Sequence, residues 1–280
     1  MTIALGLDVG ATKIAAARVD TATGEIVAAR RIPTEPARGA GAVLADCRRL
    51  AAELGDGVSA GLAVCELVDP EGRVRSAQTI DWRGADLLAE FAAVESDVRA
   101  GALAEARFGT GRDHPDFLYV TVGSGISHCL MSAGAPRMGV RGAAISTGAP
   151  LVEHWSSGLA IARRTGHASA EAALADPAAA EVVADAARRL GLALAALVNA
   201  LDPGAVIVGG GLGLNDGYRA RVEAALRTEV YDADARRLPV LPAVLGADAP
   251  AIGAALAAIR VRPGAAAGRA ARPPRSAGRG

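Results

Sequence analysis

The residues best suited to chemistry lie at the start of the chain, in the segment Leu-Asp-Val-Gly-Ala-Thr-Lys at residues 7–13. A glycine turn of this kind lets backbone N–H groups approach phosphate oxygens, while threonine and lysine add a hydroxyl and a cation. The aspartate can hold a magnesium ion through water. The pattern predicts a nucleotide-phosphate loop formed by Asp8, Gly10, Ala11, Thr12 and Lys13.

This segment differs from the Walker loop, in which G-x-x-x-x-G-K-[ST] is followed by a helix. Here residues 14–19 instead have the pattern of a returning strand, so the segment would be the turn of a β-hairpin. An ordinary tight hairpin, whose Asp and Gly serve only the turn, is the alternative interpretation.

Two more glycine turns follow apolar runs that are typical of buried strands. The run at residues 117–122 leads into a Gly-Ser-Gly turn, and the run at 205–208 leads into three consecutive glycines. The candidate nucleotide contacts in these turns are Gly123, Ser124, Gly125, Gly209, Gly210 and Gly211.

Between the first two turns, Asp97 opens a helix of small residues. A carboxylate at a helix N-terminus is held in its charged form by the helix dipole. The alternative role for Asp97 is that of a plain helix N-cap, and the two roles are compatible at one helix start.

The elements around these residues repeat. Strands are predicted at 2–9, 14–19 and 25–32, then a helix at 40–54 and a buried strand at 58–64. A strand, glycine turn and strand recur from 117 to 132, which suggests two related halves. Residues 84–107 look largely helical with a break near 95–97, and 85–93 in particular has helical spacing. The remaining predictions are helices at 169–201 (broken at Asp176-Pro177), 217–230 and 249–260, and a strand at 238–241.

Composition narrows the classes of protein. The chain has 280 residues, 51% of them hydrophobic, which is enough for two domains. The net charge is zero, but residues 262–280 hold five arginines, so the rest carries about −5 and is a poor nucleic-acid surface. We expect that tail to be disordered. Three dispersed cysteines and the lack of a signal or spanning segment predict a cytoplasmic protein without membrane contact.

The order of these motifs resembles the ROK family of sugar kinases over residues 3–260. The stretches that carry the resemblance are residues 7–13, Asp97 with 100–105, 108–112, 123–125, 157–164, and 197–203 with 209–211. An unrelated hairpin would not bring these motifs in the same order.

The resemblance implies an α/β chain with the two-lobed, ribonuclease H-like fold of actin-like ATPases and an ATP cleft between the lobes. We expect an N-terminal lobe at 1–107, a C-terminal lobe at 108–248 and a closing helix at 249–261. It further implies transfer of the ATP γ-phosphoryl group to a carbohydrate hydroxyl, with Mg²⁺ held by Asp8 through water and Asp97 as the catalytic base. Family members commonly form homodimers, and the oligomeric state is left open here.

Departures from the family pattern fall on the sugar side. Ser96 and Arg99 replace two asparagines, and Ser146 with residues 147–149 replaces the Glu-x-Gly-His motif. The cysteine-rich segment that follows in the family is absent, so no zinc site is expected. Glu153 falls on a second sugar-binding glutamate. The predicted substrate contacts are Glu66, Thr79, Ser96, Ser146 and Glu153.

Loss of the glutamate at position 146 removes a charge-assisted hydrogen bond to glucose, about 1.5–3 kcal/mol or roughly 10- to 150-fold in affinity. The pattern is similar to that of zinc-free relatives that act on aminosugars such as kanosamine and on C7-cyclitols. A kinase for such a substrate is the leading hypothesis. A catalytically weak sensor or pseudokinase, and a glucokinase with an atypical pocket, are the alternatives.

Overall fold

The computed structural model describes residues 2–139, 142 and 150–260. The predicted tail at 262–280 and the candidate Ser146 lie outside the described residues. Within them, no helix is long and apolar enough to cross a membrane.

Two five-stranded sheets form the framework. The first contains β1 (Ile3–Val9), β2 (Lys13–Asp20), β3 (Ile26–Pro33), β4 (Ala60–Val64) and β5 (Ala93–Ser96). The second contains β6 (Phe117–Val122), β7 (Ile126–Ser132), β8 (Ala135–Pro136), β9 (Ala205–Gly209) and β10 (Val240–Pro242). The helices are α1 (Ala40–Gly55), α2 (Leu87–Glu90), α3 (Asp97–Phe108), α4 (Pro150–Ser156), α5 (Gly158–Thr165), α6 (Ala170–Ala175), α7 (Ala180–Leu201), α8 (Asp216–Glu229) and α9 (Ala249–Ile259).

The two sheets have the same topology. The first has the order β3-β2-β1-β4-β5, and the second has the order β8-β7-β6-β9-β10 when read in the same direction. In each sheet the first three strands form an antiparallel meander and the last two run parallel to the first strand. The prediction of two related α/β halves is therefore confirmed.

Residues 85–93 do not form the helix that their spacing predicts. Only Leu87–Glu90 is helical, with the Asp86 side chain accepting a hydrogen bond from the Ala89 N–H at 3.2 Å. The chain then extends at Phe91, and β5 pairs in parallel with β4, Val94 lying opposite Leu62. Pairing with a buried strand outweighs the helical tendency of this short segment. The chain thus enters Asp97 from a short strand rather than from a helix.

Strand β1 is apolar throughout because both of its faces are covered. Leu5, Leu7 and Val9 belong to the core cluster that includes α1, whereas Ala4 packs with residues of α9. Side chains alternate along a strand, so Gly6 and Asp8 share the α9 face with Ala4. This alternation directs Asp8 away from the α1 core.

Helix α9 approaches its neighbours at backbone distance. A Cβ at Gly6 of β1 would lie 1.8 Å from the Ala251 carbonyl oxygen, and one at Gly61 of β4 would lie 2.0 Å from the Ala254 carbonyl oxygen. On the other side, a Cβ at Gly253 would lie 1.7 Å from the carbonyl oxygen of Ala100 in α3. The glycines allow α9 to sit between the first sheet and α3.

We expect Gly253→Ala to lower the free energy of unfolding by about 1–3 kcal/mol or more, because the added methyl group overlaps the α3 backbone. Urea denaturation measures this effect. Gly41→Ala is the matched control, since nothing lies within 4 Å of its added Cβ. That exposed helical substitution is expected to be neutral or stabilising by up to about 1 kcal/mol. Equal losses in the two variants would contradict the packing argument.

Candidate active site

Three glycine turns, the buried Asp8 and the half-buried Asp97 define the candidate site. In the first sheet, Val9 of β1, Val64 of β4 and Ser96 of β5 lie at the same level. Parallel strands end at one edge of a sheet, so the residues at and after these ends are brought together. Asp8 lies on β1 and Asp97 directly follows β5, and these two strands flank β4, so the two backbones are roughly 10 Å apart if each strand spacing is about 4.8 Å.

The first glycine turn is the tip of the β1–β2 hairpin, as its sequence predicted. The Gly10 N–H donates to the Lys13 carbonyl oxygen at 3.0 Å, and the Thr34 hydroxyl donates to the Gly10 carbonyl oxygen at 2.7 Å. Ala11, Thr12 and Lys13 are exposed. The Thr34 hydroxyl thus fixes the tip of the hairpin. Sequence reasoning missed this residue because its partner lies 24 positions away.

Asp8 is buried and only partly satisfied. Its side chain is 8% exposed, and its Oδ1 atom has no hydrogen-bond partner in the structure. Burial raises the pKa of Asp8 to about 8, with repulsion from Asp97 adding to the shift and the Lys13 ammonium opposing it. An orphaned carboxylate oxygen of this kind is costly unless a cation neutralises it.

The donor set at Asp8 fits a hydrated Mg²⁺. Magnesium is commonly held by one or two carboxylates together with water and substrate phosphates, rather than by a complete protein cage. In the described part of the chain there is no group of three or more His, Cys, Asp or Glu side chains that could enclose a metal by itself. The predicted absence of zinc stays a prediction.

Asp97 is the first residue of α3. The preceding Ser96 is fully buried, and its hydroxyl accepts the Arg99 N–H at 3.4 Å as the helix cap. The N-cap of α3 is therefore Ser96 and not Asp97. Burial raises the pKa of Asp97 to about 6, while a 2.7 Å hydrogen bond from the Val98 N–H opposes the shift and repulsion from Glu66 adds to it.

Arg99 supports the start of α3 from within. Its guanidinium is buried, donates to Glu95 at 2.8 Å and to the Val68 carbonyl oxygen at 2.8 Å, and lowers the pKa of Asp97. The arginine that replaces a family asparagine thus ties Asp97 to the segment that follows β4. Sequence reasoning noted this replacement but gave it no role.

Glu66 holds the loop after β4. Its Oε1 accepts the N–H groups of Thr79 at 2.6 Å and Ile80 at 3.1 Å, and its Oε2 accepts the Gln78 N–H at 3.0 Å and the Ser76 hydroxyl. A carboxylate offers about four lone-pair positions. These donors fill them, so the geometry gives Glu66 the task of shaping the loop that carries Thr79. Contact of Glu66 or Thr79 with substrate stays a prediction.

Cys65 lies between the two aspartates at the end of β4 and was missed by sequence reasoning. Burial raises the pKa of the Cys65 thiol to about 12, and Asp97, Glu66 and Asp8 all repel its ionised form. The thiol is therefore neutral. Its place directly after a predicted buried strand was the signal that could have pointed to it.

The second glycine turn joins β6 to β7 and is fixed by two helices. The Ile126 N–H donates to Glu153 Oε2 at 2.8 Å, and the Gly158 N–H donates to the Gly123 carbonyl oxygen at 2.7 Å. Ser124 at the tip is exposed. Glu153, predicted to bind substrate, uses one carboxylate oxygen to hold this turn, so its sugar-binding role also stays a prediction. Gly158 was not singled out by sequence.

The third turn follows β9 and is packed tightly against β6. Gly210 has a φ of 80°, and a Cβ there would lie 2.5 Å from the Val122 carbonyl oxygen. A Cβ at Gly209 would lie 2.9 Å from the Tyr119 hydroxyl. Gly211 has an open side, with the Glu171 Oε1 atom 3.8 Å from the position of an added Cβ. The fold therefore requires Gly209 and Gly210 whatever ligand this turn binds.

Gly10 and Gly123 differ from these packed glycines. Neither has a positive φ, a Cβ at Gly123 meets nothing within 4 Å, and one at Gly10 meets only the Lys13 carbonyl oxygen at 3.4 Å. The fold would accept alanine at both positions. Close approach of a ligand to the backbone is the remaining physical reason for glycine.

The two repeated halves, with glycine turns at the strand ends and a pair of acidic residues at the edge of the first sheet, define a two-lobed α/β protein of the actin-like ATPase fold. The family model of ROK matches residues 4–261, so the chain belongs to the ROK family. The predictions of fold class and family are confirmed.

Several relatives are carbohydrate kinases by name. A ROK family glucokinase from Streptomyces griseus, solved with glucose and AMPPNP, is 27% identical with a TM-score of 0.78, covering 90% of this chain and 98% of its own. A ROK hexokinase from Thermus thermophilus is 28% identical with a TM-score of 0.72, covering 91% and 97%. The Streptomyces coelicolor glucokinase is 28% identical in a 266-residue alignment that covers 76% of this chain and 83% of that protein.

The bifunctional enzyme NanE/NanK of Brucella melitensis is 34% identical in a 180-residue alignment that covers 58% of this chain. The match spans only 34% of that longer relative. These relatives bear the names of carbohydrate kinases, the enzyme class predicted from the sequence. The zinc-lacking aminosugar and cyclitol branch stays a prediction.

We expect Gly10→Ala and Gly123→Ala to weaken ATP binding at least about tenfold while the free energy of unfolding changes by less than about 1 kcal/mol. Nucleotide titration calorimetry and urea denaturation measure the two quantities. Gly210→Ala is the contrasting variant, because its positive φ and its contact with Val122 predict a loss of stability. Unchanged ATP affinity in the first two variants would remove the phosphate-loop interpretation.

Asp8 should make stability depend on pH. Its pKa in the folded state, about 8, lies above the ordinary 3.8, so folding disfavours the ionised form and stability falls as pH rises through that interval. We expect Asp8→Asn to be more stable than the native chain at pH 8 and to lose this part of the slope. Added Mg²⁺ should stabilise only the native chain. Thermal unfolding across pH, with and without Mg²⁺, decides; a destabilised Asn variant at pH 8 would refute this explanation.

Proposed function

We propose that this protein is an ATP-dependent phosphotransferase that phosphorylates a hydroxyl group of a sugar, an aminosugar or a cyclitol. The observation that carries the proposal is the placement of Asp8 and Asp97 on either side of β4, below an exposed hairpin tip at residues 10–13. Asp8 is suited to bind a cation, and Asp97 is suited to accept a proton.

The exposed turns are suited to hold the phosphates of ATP. Backbone N–H groups of the turn residues 11–12 and 124–125, with the Thr12 hydroxyl and the Lys13 ammonium, would stabilise the negative charge on the transferred group. Magnesium held through water by Asp8 would supply further positive charge when bound. The third turn, at Gly209–Gly211, would contact the adenosine of ATP.

Asp97 is suited to act as the general base. With its pKa near 6, it is largely ionised at neutral pH and can still accept a proton from an acceptor hydroxyl. The Val98 N–H and the Arg99 guanidinium keep that pKa from rising further. The Ser96 hydroxyl caps α3, which leaves the Asp97 Oδ2 atom for the substrate.

The proposed substrate class rests on residues that differ from the family pattern. Ser96 is buried as a helix cap and cannot offer the side-chain amide that an asparagine would, and Ser146 cannot replace a glutamate that grips sugar hydroxyls. Both changes weaken the hold on an unmodified hexose. They support an aminosugar or a cyclitol, phosphorylated on an exocyclic hydroxymethyl group. Glucose is the second candidate, since several relatives are glucokinases.

Coupled measurement of ADP release across hexoses, aminosugars and cyclitols tests the proposal. We expect an aminosugar or a cyclitol to exceed glucose in kcat/KM by about tenfold or more, in keeping with the missing glutamate. The rate should rise with pH through about 6, where Asp97 ionises. Asp97→Asn should lower kcat by about 10²–10⁴-fold and remove that dependence.

Three outcomes contradict the proposal in different ways. If glucose is the best substrate, the protein is a glucokinase with an atypical pocket. If ligands bind but none promotes ADP release, it is a sensor rather than an enzyme. If Asp97→Asn retains near-native turnover, another group is the base.

A further inference from the structure

A buried carboxylate lies where the chain crosses between the two halves. The chain leaves the first half after α3 through residues 109–116, which we call the outgoing crossing. It returns before α9 through residues 243–248, the returning crossing. Glu105, one turn before the end of α3, is completely buried beside both crossings. No part of the proposed phosphoryl transfer uses this residue.

Glu105 binds one crossing with each carboxylate oxygen. Oε2 accepts the Thr110 N–H of the outgoing crossing at 2.9 Å, and Oε1 accepts the Leu245 N–H of the returning crossing at 2.8 Å. The Val244 backbone N–H adds to the interactions that oppose the rise in the pKa of this carboxylate. The Thr110 hydroxyl adds a direct link, donating to the Pro242 carbonyl oxygen at 2.8 Å.

The backbone is shaped to fit the carboxylate. A Cβ at Gly109 would lie 1.9 Å from Glu105 Oε2, so only glycine lets the outgoing crossing pass this closely. Glu105 has no exposed surface, and this burial raises its pKa. An apolar side chain would fill such a site at lower cost, but it could not accept N–H groups from two separate segments.

Helix α3 connects this point to the proposed base. Asp97, Gly101 and Glu105 are spaced by four residues and therefore lie along one face of the helix, over about 12 Å. Midway, the Tyr119 ring packs against Gly101, its hydroxyl 3.1 Å from the position of an added Cβ. A shift of the crossings at Glu105 is thus transmitted along a rigid element to Asp97.

We propose that Glu105 is a positioning residue: it pins the two crossings to α3 and so fixes the position of Asp97 relative to the second half. The proposal rests on the proposed function for its catalytic consequence. Its structural part, one carboxylate that protects both crossings, stands on the contacts of Glu105 alone.

Glu105→Gln in the full-length chain is the test. The amide keeps one acceptor oxygen but turns an NH₂ group toward the second N–H donor. We expect amide hydrogen exchange at Thr110 and Leu245 to become at least about tenfold faster, with the amides of β1 and β9 unchanged. With the best carbohydrate found, kcat should fall about 10- to 100-fold while KM for ATP stays within about twofold.

Thr110→Val is the second variant, and it keeps the test decisive if Glu105→Gln folds poorly. It removes only the link to Pro242 and should accelerate exchange in the returning crossing with a smaller loss of kcat. Glu53→Gln, which alters an exposed ion pair with Arg49, is the matched control and should change neither quantity.

Folded Glu105→Gln with native exchange at both crossings would overturn the proposal, as would a loss of kcat matched by an equal rise in KM for ATP. Hydrogen exchange requires no turnover. If the native protein phosphorylates no carbohydrate, the proposed function fails, while exchange at the crossings still decides whether Glu105 pins them.

Discussion

The backbone contact of α9 with β1, β4 and α3 is the constraint on which the site depends. The chain returns to the first half only after completing the second, and the returning helix inserts small residues between the sheet and α3. Gly6 lies two residues before Asp8, and Ala100 lies three residues after Asp97. The separation of the two carboxylates is therefore fixed by a helix that contributes neither of them.

Electrostatics works against this arrangement when no ligand is bound. Asp8, Glu66 and Asp97 lie near one sheet edge, and burial raises the pKa values of both aspartates. Glu66 is satisfied by loop N–H groups, whereas Asp8 keeps an unpartnered oxygen. The unfavourable charge is thus concentrated at the position where a cation and phosphates would relieve it, a common exchange of stability for function.

Much of the framework could be predicted from sequence, because it follows from local patterns. The hairpin at residues 7–19, the strand and glycine turns, and the break at Asp176-Pro177 are all signalled within a few residues. Strand β5 could not be predicted in this way, because residues 93–96 become a strand by pairing with β4. A four-residue strand beside helical spacing has no reliable local signal.

The roles of buried carboxylates were the least predictable part of the site. Glu66 and Glu153 were singled out as substrate contacts, yet both accept backbone N–H groups from segments 12–27 positions away. Glu105 likewise accepts a backbone N–H group, from a residue 140 positions away. Residue type and motif show that a carboxylate is needed, whereas its partner is decided by tertiary packing.

A crystal structure with Mg²⁺, a non-hydrolysable ATP analogue and the carbohydrate of highest turnover tests the account most directly. It should show the terminal phosphate between residues 10–13 and 123–125, a magnesium ion bridged by water to Asp8, and an acceptor hydroxyl about 3 Å from Asp97. A nucleotide bound away from these turns, or an acceptor hydroxyl out of reach of Asp97, would contradict the assignment of the site.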